Sequence, residues 1–364
     1  MATKLGIIGL PNAGKSTLFN ALTAGHAAVA PYPFTTTDRN VGVAVVEDPR
    51  LAALAKLLKP QRVIPTSIEF VDIAGLVKGA HKGEGLGNQF LSHVFGVDAL
   101  LHVVRCFTDD NVAHPMGGVD PRRDVEVVNT ELMLKDLEVL GRRKEREQKL
   151  AKGGDKAAIK LLESLAPWDA ALSAGTPVRR LGLAAEAAPH AFGIDLLTAK
   201  PVLYAANVDE ADLGKAPASV TSLKALSEAE GAQLVVFCAK LEAELAELDA
   251  ADRAEMMREL GVAESALPQV IRRGYALLGL VTFFTTVSNI LQAWTVHDGT
   301  KAPQAAGTIH TDFEQKFIRA EVIQVDALLR CGSDANARTQ GLLRVEGKEY
   351  VVRDGDVIHF RVGQ

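Results

Sequence analysis

The sequence predicts an α/β protein: a doubly wound sheet carrying an inserted helical hairpin, followed by a smaller α+β unit. Three observations predict it. A short apolar run with β-branched residues, Lys4–Ile8, leads directly into Gly9-Leu10-Pro11-Asn12-Ala13-Gly14-Lys15-Ser16-Thr17 and then into a helical start over 16–23. Strand, glycine loop and helix in that order form the first unit of a parallel sheet. A long helical pattern over 122–152 is broken by Gly153-Gly154 and resumes after Asp155. Beyond residue 280 the chain turns to short β-rich runs separated by turns, the pattern of a separate α+β unit.

The glycine loop fits G-x-x-x-x-G-K-[ST]. Its glycines let backbone N–H groups turn inward, and the following helix N-terminus favours an anion. Lys15 is placed to reach the outer phosphates of a nucleoside triphosphate, and the Ser16 hydroxyl to ligate Mg²⁺.

The next segment, Pro31-Tyr32-Pro33-Phe34-Thr35-Thr36-Thr37-Asp38, is a loop, with two prolines and a hydroxyl cluster. A Thr in such a loop senses a γ-phosphate through Mg²⁺ in P-loop hydrolases, although Thr clusters also serve plain turns. A strand is expected over 40–47. A helix follows with Leu51, Leu54, Ala55, Leu57 and Leu58 on its apolar side, stopped by Pro60. The strand over 66–72 ends in Asp72-Ile73-Ala74-Gly75. An Asp there can hold the Mg²⁺ water shell, and Gly75 lets a backbone N–H meet the γ-phosphate. Leu76 follows where many GTPases place a water-orienting Gln, so another group must position the attacking water. Residues 77–88 form a glycine-rich loop with His81, leading to a helix over 88–97 and a fourth strand over 98–105.

The stretch from Thr108 to Pro121 is irregular and contains His114, read from the residues alone as an exposed loop histidine. The helical hairpin follows, its tip rich in Arg142, Arg143, Lys144, Arg146, Lys149 and Lys152. That tip is either a solvated face or a polyanion-docking point. Strands are expected over 201–206 and 232–237, then an acidic helical region and a linking helix through 271–278. In the last part, strands are expected over 280–286, 293–296, 317–323, 349–352 and 357–362; with no catalytic constellation, this part reads as a binding module.

Composition sets limits. A net charge of −5 gives no bulk pull towards nucleic acid, so any polyanion site must be a local basic patch. Cys106, Cys238 and Cys331 are odd in number and widely spaced, which argues for reduced thiols and against zinc. No apolar run is long enough to span a membrane, and the N-terminus has no signal-peptide pattern. A cytoplasmic protein is expected.

Guanine-specific P-loop proteins carry Asn-Lys-x-Asp after the fifth strand; here the segment is Asn207-Val208-Asp209-Glu210. The Lys is lost, and the last carboxylate sits on a side chain one methylene longer. A differently aimed carboxylate no longer fits the guanine edge, so the segment argues against strict guanine specificity and is compatible with ATP. Against this, Glu210 could replace Asp by a shifted backbone.

Taken together, Gly9–Thr17, Tyr32-Pro33-Phe34-Thr35-Thr36, the run 72–80 and Asn207–Glu210 resemble the YchF-type, or Obg-like, ATPases of the translation-factor-related P-loop class. The resemblance covers the whole chain. It implies an Obg-type G domain over 1–280, with the helical hairpin inserted at 122–198, and a C-terminal β-grasp (TGS) domain over 281–364. It also implies a hydrolase that converts ATP to ADP and phosphate with Mg²⁺, is helped by K⁺, and binds the ribosome, whole or through its large subunit. By position, Asn12, Ala13, Gly14, Lys15, Ser16 and Thr17 wrap the phosphates, Ser16 and Thr36 ligate Mg²⁺, and Asn207 and Val208 lie at the adenine. Asn12 matches a K⁺-holding residue, and His114 a loop histidine that assists hydrolysis. Two other readings stand beside this one: a GTPase of the same fold, and a nucleotide-gated ribosome-binding module whose hydrolysis is incidental.

Overall fold

The computed structural model describes residues 3–24, 40–73, 93–184, 187–262 and 264–363. The chain divides into two compact units, one of Met1–Ala44 with Glu69–Gly274 and one of Val45–Ile68 with Tyr275–Gln364. The first half of the chain forms β1 (Lys4–Ile8), α1 (Lys15–Ala24), β2 (Val41–Val45), α2 (Pro49–Leu58), β3 (Arg62–Ile64), β4 (Ser67–Asp72), β5 (Ala99–Arg105), α3 (Pro121–Lys152) and α4 (Lys156–Ser173). Then come β6 (Val202–Asn207), α5 (Ala218–Ala229), β7 (Gln233–Phe237), α6 (Ala239–Glu247), α7 (Ala250–Glu259) and α8 (Ala266–Leu277). The chain closes with β8 (Leu280–Val287), β9 (Ile290–His297), α9 (Ala302–Ile309), α10 (Thr311–Gln315), β10 (Phe317–Gln324), α11 (Val325–Cys331), α12 (Asp334–Thr339), β11 (Arg344–Glu346) and β12 (Asp356–Val362).

In the first unit the sheet order is β2-β4-β1-β5-β6-β7. The strands from β4 to β7 run parallel. Every residue of β5 and β6 is buried, as expected for parallel strands covered on both faces. The register sets Ile7 beside Asp72 and Arg105 beside Asn207. Gly9, Asp72, Arg105 and Asn207 therefore gather at one edge, outside the C-terminal ends of the strands, where open α/β sheets bind ligands.

The hairpin is built as the sequence suggests. Asp120 caps α3 through the Arg123 N–H with Pro121 in its first turn, and Asp155 caps α4 through the Ala157 and Ala158 N–H groups. The two helices share a core of Met133, Leu140, Leu165, Trp168 and Leu172. The wholly buried Asp136 accepts bonds from the Leu197 and Thr198 N–H groups and the Thr198 hydroxyl, fastening α3 to the returning chain. At the tip, Arg142 pairs with Glu138, Arg143 with Glu147 and Lys144 with Asp169. Part of the basic tip is thus neutralised within the hairpin.

The second unit has the sheet order β11-β10-β12-β8-β9-β3. One core contains Phe284, Leu291, Ile323 and Val357, and the other Phe283, Ala320, Val322 and Ile358. Residues 45–68 belong here, although the sequence reading placed them in the first domain. Strand β3 pairs with β9, Arg62 with Ile290 through Ile64 with Gln292. Leu51 and Leu54 of α2 enter the first of these cores. Arg50 pairs with Asp48 and Asp354 and lies 5.6 Å from the Phe284 ring centroid. The physical reason is that the apolar stripe of α2 needs a sheet face, and contiguity in the chain does not say which sheet supplies it.

Helix α2 ends at Leu58 with Lys59 as a left-handed cap at φ 45°, directly before Pro60 as expected. Smaller differences follow elsewhere. The strand expected over 349–352 is absent; an isolated bridge joins Val351 to Lys301, and β11 takes the pairing with β10. Of the helix expected over 88–97, residues 88–92 lie outside the described residues and 93–95 are helical.

Candidate nucleotide-binding site

The P-loop is fixed by space as well as by sequence. Gly9 has φ +146°, and a Cβ there would lie 2.3 Å from the Val103 carbonyl oxygen. Gly14 has φ +97°, and a Cβ there would lie 2.3 Å from Asn207 Nδ2. Both positions exclude a side chain on two independent grounds. Asn12 also takes a left-handed conformation, φ 61°, which short amide side chains tolerate. Its Nδ2 donates to the Ala113 carbonyl at 3.0 Å.

Lys15 is buried, and its ammonium donates to the Leu10 carbonyl at 2.8 Å. Burial pushes it down to about 8, while the Asp72 carboxylate pushes it back up. The Ser16 hydroxyl donates to Asp72 Oδ2 at 2.8 Å. Asp72 Oδ1 is buried and has no hydrogen-bond partner among the described residues. Ala13 is buried, Thr17 is exposed, and both lie in the loop and first turn as expected.

Asn207 is buried and bridges two loops. Its Nδ2 donates to the Ala13 carbonyl at 3.0 Å, and its Oδ1 accepts from the Ala239 N–H at 2.9 Å. Its side chain is therefore committed to holding the P-loop against the start of α6. Val208 is buried, with its N–H donating to the Phe237 carbonyl at 2.8 Å. Glu210 is exposed and opens a short 3₁₀ turn, Glu210–Asp212. Asp209 Oδ2 accepts from the Thr108 N–H at 3.1 Å.

The loop between β5 and α3 is held by side chains of which the sequence singled out only His114. Arg105 is buried at the end of β5. Its guanidinium donates to the carbonyls of Val112 at 2.8 Å, Asp109 at 3.2 Å and Phe107 at 3.3 Å, and stacks 4.3 Å from the Phe107 ring centroid. The His114 side chain is only 5% exposed, contrary to the expectation of an exposed loop histidine. Its Nδ1 accepts from the Met116 N–H at 3.1 Å, which leaves Nε2–H to donate to Asp124 Oδ2 at 2.8 Å. Both ring nitrogens are thus engaged, and in this arrangement His114 anchors the loop to α3. Arg123 completes the anchor, donating to Asp124 Oδ1 at 3.0 Å and to the Gly118 carbonyl at 2.8 Å. Arg105, closing the wholly buried strand β5, was the one sequence signal for this arrangement; Asp124 and Asp209 gave none.

The structure thus brings Asn12, Lys15, Ser16, Asp72 and Asn207 together at one sheet edge. Thr36, Gly75, Leu76 and His81 lie outside the described residues.

Two family models match the chain. One, described as "50S ribosome-binding GTPase", matches residues 4–141. The other, YchF-GTPase_C, described as "Protein of unknown function (DUF933)", matches residues 280–363. The "Ribosome-binding ATPase YchF" of Bacillus subtilis is 48% identical over 363 residues, covering 99% of each chain. "Obg-like ATPase 1" of Rattus norvegicus is 41% identical over 366 residues, covering 98% of this chain and 92% of its own. A solved structure, titled "Structure of the Schizosaccharomyces pombe YchF GTPase", superposes with a TM-score of 0.89 at 35% identity, covering 99% of this chain and 97% of its own. These names divide between ATPase and GTPase, but the full-length identity does not divide: the chain belongs to the YchF family.

Proposed function

We propose that this protein is a ribosome-binding ATP hydrolase that converts ATP and water to ADP and phosphate. The observation that carries the choice of base is the fate of Asn207–Glu210. The position of the guanine-reading Lys is the buried Val208, and the Asp209 carboxylate is occupied by the Thr108 N–H. Glu210 sits exposed at a turn. This arrangement suits backbone recognition of adenine better than a carboxylate reading the guanine edge. The names of the curated relatives support the same reading and supply the ribosome as partner.

The P-loop amides and the Lys15 ammonium would stabilise charge on the transferring phosphoryl group as water attacks in line. Ser16 and Asp72 suit a hydrated Mg²⁺: a hydroxyl meets a carboxylate whose other oxygen is buried without a partner among the described residues. Mg²⁺ held there supplies charge neutralisation at the β- and γ-phosphates. Thr36 is proposed as a further Mg²⁺ ligand on sequence grounds alone, as is Gly75 as a donor to the γ-phosphate. The Asn12 Nδ2 bond to Ala113 fixes which end of that amide is oxygen, and K⁺ would be held by that oxygen. For His114 to assist hydrolysis, its ring must leave Asp124. With Leu76 in place of Gln, turnover without a partner should be slow.

Steady-state hydrolysis of ATP and GTP, with and without ribosomes, tests the proposal. ATP should be preferred, and ribosomes should raise the rate. Preference for GTP would return the protein to the GTPase reading, which Glu210 keeps open by leaving a carboxylate at the fourth position. Unassisted turnover at kinase-like rates of roughly 1–100 s⁻¹ would remove the partner-completed site.

A further inference from the structure

At the nucleotide edge of the first unit, the Arg105 guanidinium is a buried cation whose hydrogen bonds to the described residues all end on carbonyls. Arg105 is 4% exposed and stands beside Asn207 in the β5–β6 register. Nη1 donates to the Val112 carbonyl at 2.8 Å and reaches the Ala113 carbonyl at 3.5 Å. Nη2 and Nε donate to the Asp109 and Phe107 carbonyls at 3.2 Å and 3.3 Å. The Ala113 carbonyl also accepts from Asn12 Nδ2 of the P-loop at 3.0 Å. The two consecutive carbonyls just before His114 are therefore both taken, the first by Arg105 from the strand and the second chiefly by Asn12.

Burying a charge against neutral partners is costly, and anchoring alone does not require it. The loop has other anchors: Asp209 on the Thr108 N–H, and Asp124 on His114 and Arg123. A guanidinium supplies what those lack, a planar fork of donors that sets several carbonyls in one fixed relation. From its place at the end of β5, that fork ties the backbone from Phe107 to Ala113 to the sheet. Asn12 ties the last of those carbonyls to the P-loop. The peptide bond that leads into His114 is thus located from two sides, while the His114 ring is held separately, by Asp124.

We propose that Arg105 is a positioning residue for hydrolysis: it sets where the His114 backbone stands relative to the P-loop, so that the imidazole reaches the nucleotide when its ring leaves Asp124. The ring turns about its own side-chain bonds, and the Ala113–His114 peptide keeps its place beside Asn12 while it does so. Arg105 itself touches neither nucleotide nor water in this role and acts through the loop. The proposal rests on the reading of His114 as a residue that assists hydrolysis. It does not depend on the choice of base.

The test uses the full chain, with kcat for ATP and the affinity for a fluorescent ATP analogue measured on each variant. Arg105→Lys keeps the charge and much of the stem but loses the fork. Its kcat should fall on the order of 10-fold, the cost of a small misplacement, with nucleotide affinity unchanged. Arg105→Gln, which loses the charge as well, should fall at least as far. His114→Ala should lower kcat by as much or more. In the His114→Ala background neither Arg105 substitution should lower kcat further, because the residue it positions is gone. Equal fold-losses with and without an effective His114 overturn the assignment alone. An unchanged kcat in both Arg105 variants also overturns it, as does a loss of nucleotide affinity in step with kcat. Failure of both variants to fold makes Arg105 a residue of the fold and overturns it too. His114→Ala at the wild-type rate removes the His114 reading, and this assignment with it.

Discussion

Two loops at the same sheet edge are held in opposite ways. The P-loop is fixed largely by backbone geometry and a neutral amide: Gly9 and Gly14 sit at positive φ with no room for a Cβ, and Asn207 ties Ala13 to Ala239, with the Lys15 ammonium on the Leu10 carbonyl as its one ionisable contact. The loop from Phe107 to Gly118 is fixed by ionisable side chains, Arg105 on its carbonyls, Asp124 on His114 and Asp209 on the Thr108 N–H. The glycine positions and the Asn207 bridge have no alternative partner to change to. The second consists of polar contacts that a charged ligand can exchange, and the Asn12–Ala113 bond joins it directly to the P-loop. The fixed loop suits binding, and the exchangeable one suits a response to what is bound.

The comparison can be broken in several places. Gly14→Ala should have the largest effect, because the added methyl meets Asn207 Nδ2 at 2.3 Å and the backbone is at φ +97°. Labelled-nucleotide binding should fall by two orders of magnitude or more, the scale of about 3 kcal/mol. Asn207→Ala should cost about 2–3 kcal/mol in thermal unfolding, since it leaves the Ala13 carbonyl and the Ala239 N–H unpaired. If both variants bound nucleotide normally, the P-loop would not be the rigid partner.

Asp124→Asn sharpens the other half. It keeps the shape and an acceptor for His114 Nε2–H but removes the charge that Arg123 and His114 share. Stability should fall by about 1 kcal/mol, and hydrolysis should change severalfold; His114→Ala should abolish that change. Equal effects of Asp124→Asn with and without His114 would leave Asp124 a purely structural anchor.

The smallest expected effect is a pH dependence. Burial holds the Lys15 ammonium at about 8, below its ordinary value, so the unfolded chain binds more protons between about 8 and the usual lysine range. Stability without nucleotide should therefore rise with pH across that window. A bound triphosphate favours the charged ammonium, so ATP affinity should weaken as pH rises above about 8. Lys15→Ala should abolish both trends in calorimetric titrations.

How much was legible in the sequence varied with the distance between interacting residues. Gly9, Gly14, Lys15 and Ser16 were readable because a strand, a glycine loop and a helix start constrain one another within a few residues. Asp155 was readable as the start of the second hairpin helix for the same reason. His114 was read as exposed, because its burial depends on Asp124, a residue with no local signal of that role. Residues 45–68 were assigned by contiguity, yet Leu51, Leu54 and Arg62–Ile64 pack with chain more than two hundred residues later.

The sequence by itself determined the phosphate-binding loop, the helical hairpin and the β-rich character of the C-terminal part, because each is encoded by short-range pattern and backbone preference. Only the tertiary structure decided that Asn207 braces the P-loop, that Arg105 and Asp124 hold the neighbouring loop, and that Val45–Ile68 completes the second unit. Those contacts join residues far apart in the chain, and a buried polar group finds its partner by position in space rather than by order along the chain.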